Sequence, residues 1–169
     1  MDCAPDCCTF IYYAKAGLLE LLERTFNTIY VTDPILKEIA EGKKEGKADA
    51  YILEKSFTQN KKYRIITTTK QELQEEYIYF KGYGEASLSI IIKKYDCIII
   101  TSDLTAYKKF IRRGITKLIR SDELLLIGLK KKYYTEQVIL EKLVQLKAVG
   151  GTTEQRIAFL LSKLKKEKL

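Results

Sequence analysis

The stretch "GEASLSIIIKKYDCIIITSD", Gly84 to Asp103, decides how the chain is read. Residues 85–95 have the length of a helix, and "CIIIT", residues 97–101, is a wholly apolar strand of the kind buried on both faces of a parallel sheet. A carboxylate stands at each end of this apolar run, Glu85 where the helix begins and Asp103 just past the strand. Both acids therefore fall where buried structure meets water, which serves solubility or supplies half of a metal site.

Working outward, the same alternation recurs. "TFIYYAKAGLLELLERTF" (9–26) carries helical spacing with a break near Gly17, giving two short helices, and "TIYV" (28–31) reads as a strand. "DPILKEIAEG" opens a helix with Asp33 as N-cap, Pro34 at the first helical position and Gly42 as the stop. "GKADAYILEKSFTQ" continues helical, "YRIIT" (63–67) is a strand, and "TKQELQEEYIYFKGYG" reads as a helix ending at a glycine turn. After the opening stretch come an amphipathic helix, "LTAYKKFIRRG", and a last strand, "ITKLI" (115–119). From Ser121 the chain reads as helices only. Strands alternating with helices predict an α/β fold with a central parallel sheet covered on both faces. With no repeat, no linker and two prolines in 169 residues, a single domain over 1–169 is expected, an α/β core to about 120 followed by C-terminal helices.

In such sheets ligands bind outside the carboxyl ends of the strands. The polar residues expected there are Asp6, Glu38, Glu85 and Asp103, all carboxylates. Each has an ordinary reading as well: Asp6 and Asp103 as helix caps, Glu85 as a favourable charge at a helix start, Glu38 on a solvated face. Caps and catalysis are compatible. Four acids brought together repel one another unless a divalent cation bridges them, and hard oxygen ligands suit Mg²⁺ or Mn²⁺.

Composition narrows the chemistry. The chain has no histidine, which excludes Ser-His-Asp and Cys-His nucleophile systems and histidine-based zinc enzymes. A hydrolase built on it relies on carboxylates and a metal that lowers the pKa of water. Thirty Lys and Arg against 22 Asp and Glu give a net charge of +8, which fits a phosphate polyanion or, equally, a surface of stabilising charge pairs. Cys3, Cys7, Cys8 and Cys97 form no C-x-x-C pair and are expected as small buried thiols. Tyr12, Tyr13 and Tyr95 fall at core spacing, so base stacking is a minority role for the tyrosines, and "KLKKEKL" (163–169) reads as a frayed basic end. No apolar run approaches the roughly 20 residues of a bilayer span, and "MDCAPDCC" lacks the features of a signal peptide. A cytoplasmic protein with no membrane association is expected.

The segments "PDCCTFIYYAKAGLLELLERTF", "VTDPILKEIAEG", "GYGEASLSIII" and "CIIITSDLTAYKKF" resemble, in order, the motifs of the PIN-domain nucleases, especially prokaryotic members of the toxin-like kind. The resemblance spans nearly the whole chain. It implies a three-layer α/β/α sandwich with a helical C-terminal extension and a Mg²⁺- or Mn²⁺-dependent endoribonuclease, of the kind that serves as the toxin of a toxin–antitoxin pair with a small antitoxin partner. It places Asp6, Glu38, Glu85 and Asp103 as metal-binding and catalytic residues, with Thr101 and Ser102 of the "TSD" motif in support; separately, the "KGYG" turn reads as letting the backbone and Lys81 approach a substrate. RNA is the implied substrate and a homodimer the implied assembly. Asp2 remains a rival to Asp6, which is preferred for its distance to "AKAGLL". Cys7 stands where Ser or Thr is usual, and a thiol partners a hard metal less well. The alternative reading is a catalytically weak PIN-like scaffold that binds RNA or protein.

Overall fold

The computed structural model describes the backbone of residues 1–167 and the side chains of residues 1–164. Five short strands, β1 (Asp2–Pro5), β2 (Ile29–Thr32), β3 (Tyr63–Ile66), β4 (Cys97–Thr101) and β5 (Leu118–Arg120), make one all-parallel sheet in the order β3-β2-β1-β4-β5. Between them run α1 (Cys7–Lys15), α2 (Leu19–Thr25), α3 (Asp33–Lys44), α4 (Ala48–Gln59), α5 (Lys70–Phe80), α6 (Tyr83–Lys94) and α7 (Leu104–Arg112). After β5 come α8 (Ser121–Lys130), α9 (Glu136–Ala148) and α10 (Glu154–Glu167). The helices flank the sheet, giving the expected three-layer α/β/α sandwich.

The least strand-like segment of the sequence occupies the middle of the sheet. β1 has room only for small side chains, since both its faces are covered: Cys3 and Ala4 are fully buried. Pro5, which cannot donate to a ladder, comes last in the strand, opposite Ile100. From β1 the chain builds outward through β2 and β3, then crosses to the other side for β4 and β5. The topological switch point thus lies between β1 and β4, and the crevice for a ligand opens at their carboxyl ends.

Several local readings shift. Thr32, not Asp33, caps α3, and Asp33 instead accepts hydrogen bonds from the Thr68 amide (3.0 Å) and hydroxyl (2.7 Å). α3 passes through Gly42, and the turn falls at Gly46, whose φ of +77° suits glycine. β5 begins three residues later than "ITKLI" suggests and ends one later, because Leu118 to Arg120 are the residues that pair with Ile99 to Thr101. Cys8 is exposed, unlike its three buried companions.

The helices after β5 share the core. Leu124, Leu125, Ile139, Leu143, Leu146 and Leu160 join the same buried cluster as the sheet residues. α8 approaches α2 closely at Gly128, where a Cβ would lie 2.8 Å from Leu21 Cδ1. Tyr13 of α1 donates its hydroxyl to the Ser121 carbonyl at 2.6 Å. Fully buried Asp122 accepts from Thr152 Oγ1 (2.7 Å), Arg156 Nε (3.1 Å) and Arg156 Nη2 (2.7 Å), fastening α10 to α8. The backbone of the "KLKKEKL" segment is helical to Glu167, and its last two residues lie outside the described residues.

Candidate active site

Asp6 follows β1 and caps α1. One carboxylate oxygen accepts from the Thr9 amide at 2.7 Å and the other from the Thr101 hydroxyl. The Thr101 hydroxyl also accepts from the Asp103 amide (3.1 Å), so one buried threonine at the end of β4 aligns two acids. Asp103 caps α7, its Oδ1 accepting from the amides of Thr105 (2.6 Å) and Ala106 (3.2 Å). The cap readings and the site readings of these two aspartates therefore hold together.

Glu85 lies in the first turn of α6, where Lys109 Nζ of α7 meets its Oε2 at 2.8 Å and also donates to the Phe80 carbonyl at 2.8 Å. Glu38 reaches in from α3. Its Oε1 would lie 3.0 Å from a Cβ placed on Gly84, so the glycine preceding Glu85 leaves room for the opposing carboxylate. All four acids line one cavity of about 170 Å³ at the switch point, with Cys7, Cys8, Gly82, Gly84 and Ala106. Asp2 is remote from it, at the start of β1, where it accepts from the Thr28 amide (3.1 Å) and the Tyr30 hydroxyl (3.3 Å).

The pocket is electrostatically loaded. Burial pushes the Asp6 carboxyl above its ordinary value, the hydrogen bonds from Thr101 and Thr9 oppose this, and the charge of Asp103 adds to it. Although Cys8 is exposed, its thiol lines the cavity and is pushed up to about 11, first by desolvation there and then by the charges of Asp6, Asp103, Glu38 and Glu85. Burial and the neighbouring Glu38 carboxylate raise Cys7 likewise. Neither thiol is a ready nucleophile near neutrality.

The donor set is all oxygen apart from two protonated thiols, which suits a hard divalent cation. In the arrangement seen, the carboxylates line the cavity without converging: among the described residues, no group of three or more Asp, Glu or Cys is arranged to hold a metal ion.

The supporting residues divide. Thr101 serves both aspartates. Ser102 is turned to structure, its hydroxyl donating to Ser121 Oγ (2.7 Å) and lying 3.1 Å from Thr9 Oγ1. Lys81 is exposed in a left-handed turn (φ 58°) and is not among the residues lining the pocket. Sequence reasoning missed Lys109, whose partner lies in another helix, and Cys8.

Fold and pocket together define an α/β sandwich with a carboxylate cleft at the switch point of its sheet. A family model described as a PIN domain matches residues 5–165, and the chain belongs to the PIN-domain family. Members of that family are in general nucleases that use divalent metals. Among curated proteins none matches the chain. No helix of the described residues is long and apolar enough to cross a membrane.

Proposed function

We propose that the protein is a Mg²⁺- or Mn²⁺-dependent endoribonuclease hydrolysing phosphodiester bonds of single-stranded or structured RNA. The observation that carries this reading is the gathering of Asp6, Glu38, Glu85 and Asp103 around one cavity at the switch point, in a chain without histidine. These four side chains would hold the metal. A bound divalent cation supplies a water that ionises near neutrality and charge to offset the phosphate. The protein's own part is positioning: Thr9 and Thr101 fix both oxygens of Asp6, and the first turn of α7 fixes one oxygen of Asp103. Glu38 or Asp103 accepts the proton of the attacking water. Lys109 balances Glu85 and keeps its orientation.

The net charge of +8 supports a polyanionic substrate. A cytoplasmic toxin held by a small antitoxin, assembled as a homodimer through helical faces, is the finer form of the proposal. A catalytically weak scaffold is the second reading, favoured by carboxylates that line the pocket without converging and by Cys7 in place of a hydroxyl.

Single-turnover cleavage of a mixed RNA pool distinguishes them. Wild type is expected to cut with Mg²⁺ or Mn²⁺ and to stop with EDTA, and Glu85→Gln to lose at least about a hundredfold in rate while keeping its fold. RNA binding without cleavage in either metal establishes the scaffold. Equal cleavage by both proteins removes Glu85 from the site.

A further inference from the structure

Two larger cavities flank the carboxylate pocket along the carboxyl edge of the sheet. The one on the β2–β3 side, about 500 Å³, includes Asp33, Glu38 and Glu41 against Lys37 and Lys70, with Tyr83 at its margin. Three acids against two lysines make it a poor seat for a phosphate. The one on the β5 side, about 510 Å³, begins at Ser102 and Leu104, on either side of Asp103. Arg120, Tyr107, Glu123, Arg156 and the loop opening α10 complete it, so one acid stands against two arginines.

Its two arginines differ. Arg156 is engaged with Asp122 and, at 3.4 Å, with Glu123. Arg120 has no carboxylate within ion-pair distance among the described residues. Its Nη2 donates to the Ser102 carbonyl at 2.9 Å, while its Nε is buried with no acceptor. A buried donor left unsatisfied is costly, and a guanidinium carries five donors in a fork matched to paired anionic oxygens. The guanidinium without a direct ion pair and its idle donor sit beside the carboxylate pocket, while Glu123 accepts from the Arg120 amide at 3.0 Å.

We propose that Arg120 and this cavity form a phosphate subsite, holding a linkage of the RNA strand next to the scissile one. The proposal rests on the ribonuclease reading above. Position supports a neighbouring linkage rather than a remote one. Arg120 pairs with Thr101 on the adjacent strand, about 4.8 Å away, and Thr101 is the residue that aligns Asp6 and Asp103. The bond to Ser102 ties the guanidinium to the backbone segment that carries Asp103. The N-terminal turn of α10, capped by Thr153, adds a favourable dipole at the same cavity. Four carboxylates repel a polyanion, and a guanidinium one strand away offsets that repulsion without entering the reacting pocket. The substrate strand then runs across the sheet edge, from the carboxylates toward β5.

The test is a neutral-linkage scan. Single-stranded RNA oligonucleotides, each with one methylphosphonate in place of a phosphodiester, are titrated by fluorescence anisotropy against the full chain in EDTA. Wild type should show a loss of affinity at one linkage adjoining the cleavage position. Arg120→Gln should bind the unmodified strand about tenfold more weakly, with a salt slope lower by about one, and should no longer discriminate at that linkage. Arg120→Lys should keep the salt slope and lose part of the affinity.

Unchanged affinity and salt slope in Arg120→Gln, or a uniform loss with the discrimination retained, overturns the subsite while leaving the nuclease reading intact. Should Arg120→Gln fail to fold, the wild-type scan decides alone: no penalised linkage beside the cleavage position overturns the subsite. A wild type that neither binds nor cuts RNA overturns both readings.

Discussion

Lys109 is where the charge balance of the pocket is set. It is the only cation within ion-pair distance of Asp6, Glu38, Glu85 or Asp103 among the described residues, and it reaches Glu85 from another helix. Removing it leaves the acids facing one another unscreened. Lys109→Met is therefore expected to lower the melting temperature of the metal-free protein by about 2–4 °C, the equivalent of about 1 kcal/mol at this size. The same variant should gain more than wild type on adding Mn²⁺, because the ion then relieves more repulsion. Differential scanning fluorimetry with and without Mn²⁺ reads both effects, and equal gains in the two proteins would separate Lys109 from the proposed metal site. At this scale the sequence reveals the acids but not what holds them. "GEA" and "TSD" mark Glu85 and Asp103 by position alone. That Gly84 makes room for Glu38, or that Thr101 serves two aspartates, depends on elements that meet only in the folded chain.

Among the elements, β4 and α6 are legible because each satisfies a local rule: an unbroken apolar run, and a helical-length segment after a glycine turn. β1 is not, since its stability comes from pairing on both sides and from close cover, which favour Cys3 and Ala4 over the large side chains that announce a strand. β5 starts three residues later than expected for a related reason, its register being set by β4. Glu76 shows how helices are joined out of sight of the sequence. It is buried on α5, accepts from Ser89 Oγ (2.8 Å) and Lys93 of α6, and lies 3.5 Å from Arg113 at the end of α7. Burial pushes its carboxyl up, but the bonds from Lys93 and Ser89, with Arg113, outweigh this and hold it below the ordinary 4.5. A lowered carboxyl contributes stability that is present above its unfolded value and lost as pH falls through and below it. Glu76→Gln should destabilise by about 2 kcal/mol at pH 7, and its deficit against wild type should shrink as pH falls below about 4.5. Urea unfolding across that range measures it, and a constant deficit would place the effect in packing rather than charge.

For the whole molecule, the helices after β5 are bound in by a buried charge. Arg156→Leu would leave Asp122 without its cation in the interior, and should cost about 3 kcal/mol and speed hydrogen exchange along α10. A melting temperature within about 2 °C of wild type would show the latch to be dispensable. The helical character of this region is plain from its periodicity, whereas its attachment through Asp122, Thr152 and Arg156 is not, because the three partners come from separate segments. The placement of β1 has a consequence in time. Its partner on one side is near in the chain, Ile29, but on the other Asp2 must find Cys97. That pairing closes a long loop and is intrinsically slow. It is also the step that brings Asp6 to Asp103. Until β1 pairs with β4, Asp6 and Asp103 are not held side by side, and the cleft lined by all four acids is incomplete. On the nuclease reading proposed above, any hazard is withheld until the midline of the sheet is zipped, so that ripening of the fold and onset of activity are one event.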